Sequence, residues 1–181
     1  PVEFLEQSET VGYEQFYEVN SLALISEEQL LGCISQLLSE LVGQPVLDSA
    51  ASAFSTPAVP SISLHNYLER FRRFAQCSAE CYILAVIFMD RMQQYNLLYR
   101  PNPHNVHRLV MVGLLLAIKY FDDVYYDNRF YSKVGGIALE EMNALEAEFV
   151  NNIQFDLYVP PNMFFAYRDR IINVHLISQI A

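Results

Sequence analysis

LVMVGLLLAIKYF, residues 109–121, decides the fold. Leu109–Ile118 carries no charge on any side, yet it is about half as long as a bilayer span requires. A helix apolar all round has to be enclosed by other helices. A second stretch of this kind, Tyr82–Met89, lies upstream, separated from the first by Pro101 and Pro103. Two such helices predict a bundle wrapped around a central hairpin. An up-down bundle would be built of amphipathic helices instead.

The flanking sequence supplies the wrapping. Ser61 or Ser63 can cap a helix over about 63–75 with Leu64, Tyr67, Leu68, Phe71 and Phe74 as its apolar positions. Ser78 with Glu80 starts the helix that runs to about Tyr95, and the central helix spans about His104 to Phe121. Asp122–Gly136 is a connection with one short turn near Phe130–Val134. Further helices are expected over about Leu139–Ile153 and 162–177, the last with Phe164, Phe165, Ile171 and Ile172 in the core. Ahead of these, residues 20–43 read as an arm helix, with Ser26 and the acids Glu27 and Glu28 as a start signal. Its stripe is Leu30, Leu31, Ile34, Leu37, Leu38, Leu41 and Val42. Residues 44–60 form a Ser/Ala/Pro linker kept extended by Pro57 and Pro60. The expected division is an acidic arm and linker over 1–60 and a compact all-α domain over 61–181.

The 181 residues are 52% hydrophobic, enough for one core, and only 6 Gly and 8 Pro favour long helices. Net charge is −10. Residues 1–60 hold 9 acids and no Lys or Arg, whereas 61–181 hold 12 acids and 11 bases, so the arm carries almost all of it. Such a chain repels phosphate backbones, and a nucleic-acid partner is not expected. No secretory signal or membrane span is visible, so the chain is expected to be soluble and intracellular, in nucleus or cytoplasm. It begins at Pro1 rather than Met, as a processed or trimmed chain would. Cys33, Cys77 and Cys81 read as free buried thiols, since no further ligands have the spacing for a metal site.

Catalytic signatures are absent. No phosphate loop, dinucleotide fingerprint, zinc-protease helix or nucleophile elbow occurs, and His65, His104, His107 and His175 lack a placed Ser or Cys. Asp122-Asp123 reads as a turn rather than a metal or acid–base pair. Acids at a helix C-terminus are unfavourable, however, so something must compensate Asp122. No enzyme activity, metal or cofactor is expected. Two charges stand out instead. Lys119 is one of only two lysines and ends the apolar run; Glu146 shares a helix side with Leu145, Phe149 and Val150. A charge set in an apolar surface needs a partner. Spacing alone also allows a snorkelling lysine and a solvated glutamate.

Three separated blocks resemble the cyclin box, especially the P/U-type group that includes the yeast phosphate-pathway cyclins. They are PSISLHNYLERFRRFAQCS (60–78), NVHRLVMVGLLLAIKYFDDVYYDNRFYSKVGGI (105–137) and EMNALEAEFVNNIQFDLYV (141–159). The resemblance covers about 60–175, and the arm helix also fits. It implies a cyclin-box five-helix domain around a central third helix, with the turn near Phe130–Val134 as the fourth. It implies a regulatory subunit that binds a cyclin-dependent protein kinase at its catalytic-Glu helix and switches it on, in cell-cycle progression or phosphate signalling. The family's box Lys and Glu, which bind that helix, fall on Lys119 and Glu146. The same alignment puts Leu116, Tyr120, Val150, Phe155 and Leu157 on the kinase-facing surface, although plain core is an equal reading for Val150 and Leu157. One departure is ISLHNYL at the first box helix, where mitotic cyclins begin their substrate-docking patch differently; that site is not carried over. The alternative is a transcription-type adaptor that grips a protein or DNA with the same box. If the kinase reading is right, Lys119 and Glu146 must lie together beside a groove between helices.

Overall fold

A computed structural model describes residues 25–43 and 52–178, with side chains through Asn173. Seven α-helices and one 3-10 turn make up the described residues: α1 Glu27–Val42, α2 Leu64–Ala75, α3 Ala79–Tyr95, the turn Leu97–Tyr99, α4 Val106–Phe121, α5 Asn128–Gly135, α6 Leu139–Asn152 and α7 Pro161–Ser178. None is long and apolar enough to cross a membrane.

The caps follow the side chains that can make them. Ser26 and Gln29 form a reciprocal capping box at α1, so the helix begins after Ser26. Of the expected 20–43 span, residues 20–24 lie outside the described residues, as do 1–19 and linker residues 44–51. Ser63 caps α2 through the Asn66 amide, and Asp127 caps α5 through that of Phe130. Gly136 ends α5 at φ 78°, a left-handed turn that glycine takes without strain. The short turn expected near Phe130–Val134 is thus a helix of two turns.

Helix α4 is the centre. Every residue from Leu109 to Ile118 is buried, as is every residue of α3 from Cys81 to Met89. The two pack closely: a Cβ on Gly113 would lie 3.1 Å from the Ala85 carbonyl oxygen. Helices α5 and α6 cover the other sides of α4, while α1 and α7 cover α3. Leu30, Leu31, Cys33, Ile34 and Leu38 of α1 belong to the same core.

Two expectations are corrected by packing. Phe74 is 54% exposed, because it lies at the edge of the α2 stripe formed by Leu64, Leu68, Phe71 and Ala75. The core also reaches into the linker. Phe54 is fully buried, edge-on to Tyr99 at 5.7 Å and Phe149 at 6.0 Å. Thr56 is tied to the start of α4 by its amide and hydroxyl, both donating to the His104 carbonyl at 2.8 Å. Arg108 donates to the Ser55 carbonyl at 2.9 Å and pairs with Glu141. In a Ser/Ala/Pro stretch a lone Phe leaves no periodicity to read.

His107, at the start of α4, makes the fold sensitive to pH. Its Nε2 lies 2.9 Å from the Ile62 carbonyl, which can only accept, so Nε2 carries the proton of the neutral ring. Nδ1 is buried without a partner. Burial therefore holds His107 below its ordinary 6.5, outweighing the bond to Ile62. The unfolded chain binds this proton more tightly than the folded one. The contribution is thus complete above about pH 6.5 and is lost as pH falls toward the lower folded value. Urea midpoints should drop below pH 6.5, and His107→Asn should flatten that dependence; an equal slope in the variant would reject the assignment.

Candidate functional site

The last turn of α4 is where the apolar run meets charge. Lys119 Nζ donates to Glu146 Oε1 of α6 at 2.6 Å, joining residues 27 positions apart. Their side chains are 28% and 19% exposed, so the pair is at an edge, neither fully solvated nor sealed. Glu146 Oε2 accepts from Asn128 Nδ2 at 2.7 Å, and the same amide nitrogen donates to Asn143 Oδ1 at 2.7 Å. Three elements, α4, α5 and α6, thus converge on one carboxylate. The ammonium keeps donors beyond the one given to Glu146. Asn128 Oδ1 is buried with no partner, an acceptor left open in the same cluster.

An open depression of about 420 Å³ lies beside this cluster, lined by Lys119, Tyr125, Tyr126, Asn128, Leu139 and Asn143 among others. Large apolar side chains stand around the end of α4. Tyr120 is 46% exposed and Val124 85%, with Phe121, Tyr125 and Tyr126 also exposed. Tyr126 is held in place by stacking on Phe130 at 4.2 Å and by donating its hydroxyl to Gln76 Oε1 at 3.2 Å.

The face continues along α6. Val150 is one turn beyond Glu146 on the same side and is half-buried. The Phe155 amide bonds to the Val150 carbonyl at 2.9 Å, in a tight turn where Gln154 and Phe155 take φ of 55° and 59°. A bulky residue in the left-handed region is strained and must be held by its surroundings. Here it turns Phe155 outward, 68% exposed, while Leu157 packs back against the core. The residues expected on the surface therefore divide. Lys119, Tyr120, Glu146, Val150 and Phe155 are exposed or half-exposed, and Leu157 is half-buried. Leu116 is 6% exposed and supports Lys119 and Tyr120 from within the core.

Sequence reasoning missed Arg91, Asn128 and Asn143. Arg91 is a buried cation on apolar α3; it donates to the carbonyls of Asp156 at 2.6 Å and Tyr158 at 2.7 Å and lies 3.4 Å from the Asp156 carboxylate. An arginine near the end of an all-round apolar helix was its signal. The asparagines carried none, since an amide on a short helix reads as surface. Asp122 finds the compensation expected of it: its Oδ2 accepts the Ser78 amide at 3.1 Å and the Cys81 thiol at 3.4 Å. Among the described residues, no three His, Cys, Asp or Glu side chains are grouped to hold a metal.

The family model for cyclins matches residues 25–157, well over half of the chain. The chain belongs to the cyclin family. The match begins at α1, so it takes in the arm helix as well as the five box helices α2 to α6. This cyclin is 44% identical over 119 residues to Cyclin-P4-1 of Oryza sativa subsp. japonica, covering 66% of this chain and 56% of that one. It is 41% identical over 116 residues to Cyclin-U4-1 of Arabidopsis thaliana, covering 64% and 57%. With Cyclin-U4-2 of Arabidopsis thaliana it shares 45% over 116 residues, covering 64% and 54%. The chain therefore spans little more than half the length of the curated relatives it matches.

Arg91 ties the strained turn to the core of this cyclin, and its loss strands two carbonyls. Arg91→Met keeps the apolar stem and should cost roughly 1.5–3 kcal/mol in urea unfolding. Amide exchange over 154–158 should quicken more than elsewhere. Uniform exchange in the variant would mean that the turn holds itself.

Proposed function

We propose that this cyclin is a non-catalytic regulatory subunit that docks on a cyclin-dependent protein kinase and switches it on. The reading assigns kinase contact to Lys119 and Glu146, flanked by Tyr120, Val150, Phe155 and Leu157, with Leu116 as support. The observation that carries it is the Lys119–Glu146 pair, half-open at the rim of a depression ringed by exposed aromatics. The box helices α4, α5 and α6 present this face, and α1 packs elsewhere on the bundle, against α2, α3 and α7.

Phosphoryl transfer requires the kinase's strand Lys to pair with the Glu of its mobile helix. A partner that binds only the form with that helix turned inward shifts the population toward it. Moving the balance from mostly off to mostly on takes roughly 5 kcal/mol of differential affinity. Apolar burial at the aromatic rim supplies the bulk of this. The free donors of Lys119 and the remaining lone pairs of Glu146 add charge-assisted hydrogen bonds that fix the register. Cell-cycle progression or phosphate signalling then follows from which kinase is bound.

Mixing this cyclin with candidate cyclin-dependent kinases should raise phosphorylation of a generic substrate. Lys119→Ala and Glu146→Ala should each weaken binding by about 2–5 kcal/mol and abolish stimulation, with helix content unchanged. Full stimulation by both variants would sink the assignment. A salt-sensitive shift on duplex DNA would favour the adaptor reading instead.

A further inference from the structure

Residues 52–57 strap the linker to the bundle, and they end on a Thr-Pro pair. Among the 8 prolines, Pro57 is the one that follows a serine or threonine. Proline has no amide N–H and keeps the residue before it in extended backbone. Such a pair suits a protein kinase that takes its substrate as an extended chain and makes no bond to the amide after the phosphorylated residue. Residues 55–60 are neither helix nor strand, Thr56 is half-exposed, and Pro57, Ala58 and Val59 stand in solvent.

The hydroxyl is nevertheless occupied. Thr56 Oγ1 and the Thr56 amide both donate to the His104 carbonyl at 2.8 Å. His104 bonds back: its Nδ1 lies 2.9 Å from the Thr56 carbonyl, which can only accept, so Nδ1–H donates. Arg108 holds the Ser55 carbonyl, and Phe54 is sealed into the core against Tyr99 and Phe149. A kinase cleft must hold residues on both sides of the reacting hydroxyl, and Phe54 cannot enter it while packed. The strap therefore has to lift before Thr56 reacts. Lifting frees one aromatic side chain and a few hydrogen bonds and unwinds no helix, so it is a local opening.

We propose that Thr56 is a phosphorylation site for a proline-directed protein kinase, reached when the 52–57 strap lifts, and that the phosphate then keeps the strap from closing. In the transfer Thr56 Oγ1 attacks the γ-phosphorus of ATP. The new O–P bond forms, the bond from the γ-phosphorus to the bridging oxygen breaks, and ADP leaves. The hydroxyl proton passes to the kinase's aspartate. Oγ1 then has no hydrogen to give the His104 carbonyl, and its phosphate, of charge about −1.5 to −2, repels that oxygen. With Phe54 held out, the Tyr99 and Phe149 rings it covered are bared, the second on α6, the helix that carries Glu146. The site and its gating do not depend on the proposed docking face.

The test incubates the whole chain with ATP and a proline-directed kinase already activated by its own subunit, so that its outcome is separate from whether this cyclin activates a kinase. Mass spectrometry should place a single phosphate on Thr56. Thr56→Ala should abolish it, and Pro57→Ala, at an exposed position, should slow it by about tenfold or more. His104→Ala removes the ring bond from the surface and should speed phosphorylation about threefold; Phe54→Ala removes the core anchor and should speed it about tenfold or more. Should Phe54→Ala lose helix content, His104→Ala decides the gating. In the phosphorylated chain, amides of 54–56 should exchange faster than before, with those of α3 and α4 unchanged. No incorporation, a phosphate mainly elsewhere or an unchanged rate in Pro57→Ala overturns the site. An unchanged rate in His104→Ala overturns the gating. Slower exchange at 54–56 would mean that Arg108 and His104 clasp the phosphate, and overturns the release.

Discussion

Helices α3 and α4 have no polar side to offer water along Cys81–Met89 and Leu109–Ile118, so the other helices are arranged by the need to cover them. Their mutual contact is closer than side chains usually permit, because Gly113 lets the α4 backbone approach Ala85. Burying some twenty apolar side chains in one hairpin supplies far more than propensity could, and a bundle results in which the central pair has no freedom to slide. The place where α4 leaves the core is then fixed too. Lys119 stands at that exit, and α6, packed along α4, carries Glu146 to it. The charge pair depends on a constraint set by apolar residues many ångströms away.

Polar groups do the fastening at each end of this hairpin. Arg91 reaches from the end of α3 to the carbonyls after α6 and fixes the turn that exposes Phe155. Asp122 reaches from the end of α4 to the first turn of α3. His107 and Thr56 close the other end against the chain before α2. In each case one side chain ties together backbone groups of separate segments, which is why single polar substitutions at these points should act locally.

Much of this was legible in the sequence because periodicity reports burial. The all-round apolar runs gave the central hairpin, and Ser26, Ser63 and Pro161 lie where helices begin. Phe74 was misplaced because a stripe read at three-and-four spacing has edges that only packing defines, whereas Leu116 is buried as its all-round apolar run implies. Phe54 and Asn128 were invisible: one is a lone aromatic in a Pro-rich stretch, the other an amide whose carboxylate partner is 18 residues away. Lys119 and Glu146 show the boundary most clearly. Their residue types demanded partners, but that each is the other's partner is a fact of helix packing, which spacing along the chain cannot encode.

That mutual pairing shapes how the surface can work. A lone buried cation would have to be desolvated when a partner arrives, and the cost would erode affinity. Here both charges are already partly withdrawn from water, and the side-chain entropy of holding them was lost on folding. A helix docking as proposed would therefore meet a fixed dipole with open valences. What would vary between such partners is the fit against Tyr120, Val124 and Phe155, side chains exposed in the isolated chain that gain most when covered. On the proposed reading, the charge pair would set where a kinase helix can bind, and the aromatic rim would set which one binds well.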